Sequence, residues 1–195
     1  EGIYFATISY DPLEDLSSVV FDYRKGAHMA VTHLHDVGHR RIGYLTQDVK
    51  AASAFPRFDG YMKALRAVDL PVDLDLVVQC GQEPEDVARA MAKLVALDDP
   101  PTAILSFNYM RALRAEAWCL EQGLQIPNDM AIVCFDNTWD TAHCTVPLTT
   151  IDLHWQREGA EAVKLVLEMV RTGDTTPRHV FVEPELVVRD STRTV

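Results

Sequence analysis

Between Ala131 and Phe135 the chain runs through five apolar residues in a row, A-I-V-C-F. A half-exposed strand alternates apolar and polar side chains, so a short unbroken run implies a strand covered on both faces. Such strands belong mainly to parallel sheets with helices packed above and below. The run ends at Asp136-Asn137-Thr138, and a second extended stretch, P-L-T-T-I at 147–151, follows it. Open α/β sheets bind ligands beyond the carboxyl ends of their strands, so Asp136 stands where a site is expected. An isolated aspartate there is also a common turn or capping residue, and the rest of the chain has to decide.

The remaining segments repeat the pattern. Strands are expected at Ile3–Ile8, Val19–Phe21, Arg41–Thr46, Leu74–Gln79 and Thr102–Ser106, with a closing extended segment at Phe181–Arg189. Between them, apolar residues recur at helical spacing. The first helix spans about Arg24–Val37, with Ala27, Ala30, Val31 and Leu34 on one face and Gly38 as its stop. Ser53 can cap the next, which carries Pro56 in its first turn and Phe55, Phe58, Tyr61, Met62, Leu65 and Val68. Pro84 opens a third, with Val87, Met91, Leu94 and Val95 inward, and Asn108 caps a fourth that Gly123 ends. The longest, Trp155–Thr172, is expected to turn Ala160, Val163, Val166, Leu167 and Val170 inward before Gly173. Strands alternating with helices of this length predict an α/β fold built on a mostly parallel, Rossmann-like, doubly wound sheet.

The formal net charge of −11 argues against nucleic acid or an anionic membrane as the partner of this stretch of chain. A basic module beyond it is compatible with that balance. Cys80, Cys119, Cys134 and Cys144 lie far apart with no C-x-x-C pair, which fits reduced thiols of a cytoplasmic protein. No apolar run is long enough to cross a bilayer, and no membrane association is expected. The chain opens at Glu1 directly before a strand, so a fragment or a processed chain is expected.

Three strand ends carry groups suited to gripping a hydroxylated small molecule. Arg57 follows the strand ending at Thr46, Asn108 follows Ser106-Phe107, and Asp136 follows Phe135. A guanidinium donates in a fixed fork, a carboxylate accepts, and an amide does both. Phe107, Phe135, Trp139 and Trp155 could stack on the apolar face of a sugar or a base. Each residue alone reads as a cap or a core packer, but three polar groups at one topological position of successive units read as a site. His28, His33, His35 and His39 do not read as a metal site, because Gly38 ends the helix between the one pair with ligand spacing. No G-x-S-x-G elbow, phosphate loop or G-x-G-x-x-G is present, so neither an enzyme nor a cofactor is expected.

Seven segments in order carry a family resemblance. D-Y-R-K-G-A-H-M-A at 22–30, H-L-H-D-V-G-H-R-R-I-G-Y-L at 33–45 and F-P-R-F-D-G-Y-M-K-A-L at 55–65 come first. P-P-T-A-I-L at 100–105, I-P-N-D-M-A-I-V-C-F-D-N at 126–137, P-L-T-T-I at 147–151 and L-V-V-R-D-S-T at 186–192 complete the set. Together they resemble the effector-binding core of LacI/GalR-type bacterial transcriptional regulators. That family's core is similar to periplasmic sugar-binding proteins, with two lobes joined by crossing strands and an effector in the cleft.

The resemblance implies that residues 22–146 are most of the C-terminal lobe and residues 1–21 a remnant of the N-terminal lobe. Residues 147–174 would cross to that lobe with a helix, and 175–195 would return and end in a tail. It further implies a small sugar-like effector contacted by Arg57, Asn108 and Asp136, with Trp155 as a cleft aromatic and Phe107 beside them. A homodimer through C-lobe faces, including the helices near Thr138–Cys144 and from Pro84, is implied too. Operator DNA would be reached only through a helix-turn-helix domain outside this stretch. Two positions depart from the family spelling: Asn108 is followed by Tyr109 rather than Asp, and Arg114 stands where a small residue is common. The alternative reading is the solute-binding protein of a transporter, which shares the fold; upstream sequence would separate the two.

Overall fold

The computed structural model describes residues 3–193. Six strands form the larger of two sheets, in the order β4-β3-β5-β6-β7-β9. They are β3 (Ile42–Thr46), β4 (Val77–Gln79), β5 (Ala103–Ser106), β6 (Ala131–Phe135), β7 (Thr149–Asp152) and β9 (Glu185–Val187). All pairings in it are parallel except β7 with β9. The second sheet holds three parallel strands, β1 (Thr7–Ser9), β2 (Ser18–Phe21) and β8 (His179–Val182), with β2 in the centre.

Both faces of the large sheet are covered, as the unbroken apolar runs require. Alternate residues of β5 and β6 enter different cores. Leu105, Val133 and Phe135 face the helices α1 (Tyr23–Asp36) and α2 (Phe55–Ala67). Ile104, Ile132 and Cys134 face α3 (Pro84–Val95) and α4 (Tyr109–Glu121). On the first side Tyr44 and Tyr61 stack at 5.0 Å, and the Tyr61 hydroxyl donates to the Ile42 carbonyl at 2.7 Å. Helices α1 and α2 touch backbone to backbone, because Gly60 places no side chain between them; a Cβ there would lie 2.7 Å from the Arg24 Cα. At the end of the large sheet away from the strand carboxyl ends, Ser191 ties β6 to β7: its hydroxyl donates to the Ile132 carbonyl (2.6 Å) and accepts from the Thr149 N–H (2.8 Å).

The chain passes from the large sheet to the small one at Leu153–His154, where His154 sits in the left-handed region (φ 51°) ahead of α6 (Trp155–Thr172). Residues 181–189, expected as one extended segment, are divided: β8 completes the small sheet and β9 returns to the large one. Other expectations shift for local reasons. The first strand shrinks to Thr7–Ser9, with Ile3 91% exposed. Leu74–Leu76 forms a 3-10 turn, with the Asp73 carboxylate accepting from the Asp75 N–H, so β4 begins only at Val77. Helix α6 buries Leu165 and Met169, with Val166 half-buried, whereas Ala160, Val163, Leu167 and Val170, expected inward, face solvent. The apolar arc of the helix is wider than the stripe it buries, so periodicity alone does not set which stripe packs.

Candidate functional site

A cleft of about 450 Å³ opens where the carboxyl ends of both sheets meet the start of α6. The large sheet contributes Gln47 after β3, Phe107 and Asn108 after β5, and Asp136 after β6. The small-sheet side contributes Ile8 to Tyr10 and Phe21, and α6 contributes Trp155 and Glu158. Arg57, Asn108, Asp136, Phe107 and Trp155, selected from the sequence, all line this one cleft. The strand-end rule for open α/β sheets accounts for the first three, since each stands just past a carboxyl end or on the following helix.

Arg57 is only 5% exposed. Its carbon Cζ lies 3.8 Å from the Tyr23 ring centroid, 4.5 Å from Phe107 and 5.0 Å from Phe135. Aromatic faces carry negative quadrupole density, so three rings cradle the cation without consuming its donors. One terminal nitrogen donates to the Ser53 carbonyl, while Nε is buried with no hydrogen-bond partner among the described residues. A buried donor left unpaired costs free energy, which a ligand acceptor would recover. Ser53, expected to cap α2 with its hydroxyl, serves the site instead: Oγ accepts from Gln47 Nε2 at 2.6 Å, and Ala54 is the capping residue with no side-chain bond.

Asp136 is 7% exposed and adopts φ 77°, in the left-handed region that few non-glycine residues occupy. This turn out of β6 directs the carboxylate into the cleft. Burial pushes its pKa up, and the Arg57 charge and the Tyr109 backbone N–H pull the other way. Arg57 acts on it through space, with no hydrogen bond or ion pair between the two among the described contacts, and both groups line the cleft.

Asn108 fills both roles considered for it. Its Oδ1 caps α4 by accepting from the Arg111 N–H (3.2 Å) and from Arg111 Nη1 (3.3 Å), and the residue lines the cleft. Its amide NH2 group makes no bond among those described and is the group left for a ligand. Phe107 is nearly buried beneath Arg57, and Trp155 stands at the rim, 57% exposed. Phe135 is wholly buried and supports the guanidinium from below rather than facing a ligand. Trp139 does not belong to the site. It lies on the short α5 (Trp139–His143), 72% exposed, stacked on His143 at 4.3 Å.

Of the lining residues that the sequence does not single out, Tyr23 and Glu158 bear most on the chemistry. Tyr23 is the first residue of α1, whose cap Asp22 accepts from the Lys25 N–H, so its ring lies just past the end of β2. Burial pushes its hydroxyl up to about 12, the Arg57 cation opposes that, and the Glu158 and Asp136 carboxylates add to it. Glu158 sits in the first turn of α6, 7% exposed. In sequence it is an ordinary helix-start acid, and only the fold shows that it faces inward. Among the described residues no cluster of three metal-ligating side chains occurs, and no helix is long and apolar enough to cross a membrane. All four cysteines are free thiols.

Comparison with known proteins gives this geometry a context. A family model described as a periplasmic binding protein-like domain matches residues 31–192. Among curated relatives, the HTH-type transcriptional repressor PurR of Mannheimia succiniciproducens is 31% identical over 189 residues, 96% of this chain and 57% of that protein. The PurR repressor of Pasteurella multocida is 34% identical over 169 residues, covering 87% and 51%. The chain thus spans about half to three-fifths of these relatives.

A LacI-family regulator structure from Sanguibacter keddieii superposes with a TM-score of 0.84 at 30% identity, covering 95% of this chain and 72% of that one. A complex of the regulator CelR with cellobiose gives a TM-score of 0.84 at 26% identity, covering 92% and 55%. With a conserved architecture across nearly the whole chain and a family model over most of it, the chain belongs to the periplasmic binding protein-like family, as the effector-binding core of a LacI-type regulator.

Proposed function

We propose that the cleft binds a small hydroxylated effector, a sugar foremost, and that its occupancy controls operator binding by a helix-turn-helix domain of the same protein. The observation that carries this reading is the pairing in one cleft of a buried guanidinium holding an unpaired Nε with a buried carboxylate. A fork of donors and an acceptor on different elements suit vicinal hydroxyls, and aromatic rings suit the apolar face of a sugar. The cellobiose complex of CelR supports a sugar, and the repressor names of the curated relatives support regulation over transport.

In this reading residues 3–21 with β8 and α6 belong to one lobe, and the large sheet to the other. The exposed Val163, Leu167 and Val170 on α6 support a lobe whose outer face is covered by further chain. Strands and hinge residues joining the lobes let a ligand favour one relative orientation, which shifts an equilibrium by its differential affinity for two states. A cytoplasmic homodimer goes with that role. Exposed Trp139 and the groove between α3 and α4, lined by Pro84, Leu113 and Trp118, are the C-lobe surfaces for it. Sedimentation showing only monomer at high concentration would remove the dimer.

Titration calorimetry across hexoses, disaccharides and nucleobases tests the effector site. Each charge-assisted hydrogen bond lost costs about 1.5–3 kcal/mol. Arg57→Ala and Asp136→Asn should therefore each weaken a measured affinity by roughly tenfold to a hundredfold. Unchanged affinity in both variants would refute the site.

A further inference from the structure

The cleft holds more negative charge than positive. Of its lining residues Asp136 and Glu158 are acidic and Arg57 alone is basic. Arg57 already offsets Asp136. Nothing offsets Glu158: its Oε1 is fully buried with no hydrogen-bond partner among the described residues, and the side chain is 7% exposed.

A glutamate in the first turn of a helix ordinarily complements the helix dipole from solvent or closes a capping box. Neither applies to Glu158. The capping residue His154 makes no side-chain capping bond, its ring facing Asp152 and Glu185 instead, and burial removes Oε1 of Glu158 from water. Trp155 and Glu158 are three residues apart, so they share a helix face and line the cleft together.

We infer that Glu158 is a ligand-selecting residue, the acceptor for an ammonium group carried by the ligand, as in an amino sugar. This rests on the reading of the cleft as a ligand site and narrows the class of ligand it takes. A buried carboxylate without a counter-ion is costly, and it either takes up a proton or waits for a cation. Burial alone pushes Glu158 from its ordinary 4.5 up to about 7, so near neutrality the choice is evenly balanced. A ligand ammonium tips it toward the ionised form and releases the proton. The ring of Trp155, which lines the cleft from the same helix, offers a face that attracts the same charge. A neutral hydroxyl in that place meets a carboxyl group that is half protonated and gains less.

The test is calorimetric titration at pH 7 with matched pairs: glucose and glucosamine, galactose and galactosamine, mannose and mannosamine. At least one amino sugar should bind about tenfold or more tightly than its neutral partner, the worth of one charge-assisted bond. Its binding heat should depend on the ionisation enthalpy of the buffer, which reports the released proton. In Glu158→Gln the amino-to-neutral ratio should collapse toward one and the buffer dependence should vanish; Glu158→Leu, which also removes the charge, repeats the test if the first variant is unstable. Equal binding within every pair, or a preference that survives both variants, overturns the inference and leaves the cleft reading standing. Failure of every amino and neutral hexose to bind overturns the inference; ligand binding indifferent to both Arg57→Ala and Asp136→Asn overturns the cleft reading and the inference with it.

Discussion

The two sheets of this protein are built from similar strands and end at the same cleft, yet they are covered differently. In the large sheet every residue of β3, β5 and β6 is buried, with helices on both faces. In the small sheet Ile8 is 56% and Phe181 51% exposed, and α6 shows solvent the apolar face of Val163, Leu167 and Val170. The same apolar composition therefore contributes very different amounts of stability, because only area removed from water counts. The large sheet holds Asp136, Asn108 and, through α2, Arg57. The sparsely covered small sheet and α6 supply Trp155 and Glu158. One wall of the cleft is set in a sealed core and the other is carried by a thinner unit, an arrangement suited to lobes that reorient.

Substitutions should separate the two units sharply. Ile104→Ala, in the sealed core between β3, β5 and α3, should cost about 2–5 kcal/mol in denaturant unfolding. Gly60→Ala forces a methyl group onto the Arg24 backbone, where no side chain can yield, and should cost about 1–3 kcal/mol. Ser191→Ala strands the Ile132 carbonyl and the Thr149 N–H in a fully buried place, and should also cost about 1–3 kcal/mol. On the small-sheet unit, Leu167→Ser should change stability by no more than about 0.5 kcal/mol, since the side chain is 61% exposed. A loss at Leu167 as large as that at Ile104 would show that the outer face of α6 is covered in solution.

The cleft wall on α6 gives a pH-dependent version of the comparison. Glu158 is raised from 4.5 to about 7 in the folded protein, so folding favours its protonated form. Its contribution is most favourable below 4.5 and is lost as pH rises through about 7, after which it stays lost. The melting temperature of Glu158→Gln minus that of the parent should therefore climb between those limits and level off above them. A difference that is flat with pH would place Glu158 in water.

What could be read from the sequence follows the same division. β6 was expected at Ala131–Phe135 and is found there, because an apolar run buried on both faces marks its own ends. The strand-end residues Arg57, Asn108 and Asp136 were legible for that reason: once the strands are placed, their carboxyl ends follow. Phe107 is legible as the aromatic beside Asn108, and Trp155 through the family resemblance, four residues beyond Ile151. In the small sheet the signal fails, since the apolar arc of α6 is wider than the stripe it buries and that stripe is chosen by the three strands it meets. Glu158 was invisible for the same cause, as its inward orientation depends on the helix phase. Trp139 misled in the opposite sense: an aromatic close to Asp136 in sequence lies on the outside of α5.

The central claim is that Arg57 and Asp136 grip one ligand between the two sheets, and a structure of the protein with the tightest-binding sugar tests it most directly. Ligand density is expected in the cleft, with an acceptor of the ligand on Arg57 Nε and a donor on the Asp136 carboxylate. Density seated elsewhere on the surface, or in the cleft without contact to either side chain, would contradict it.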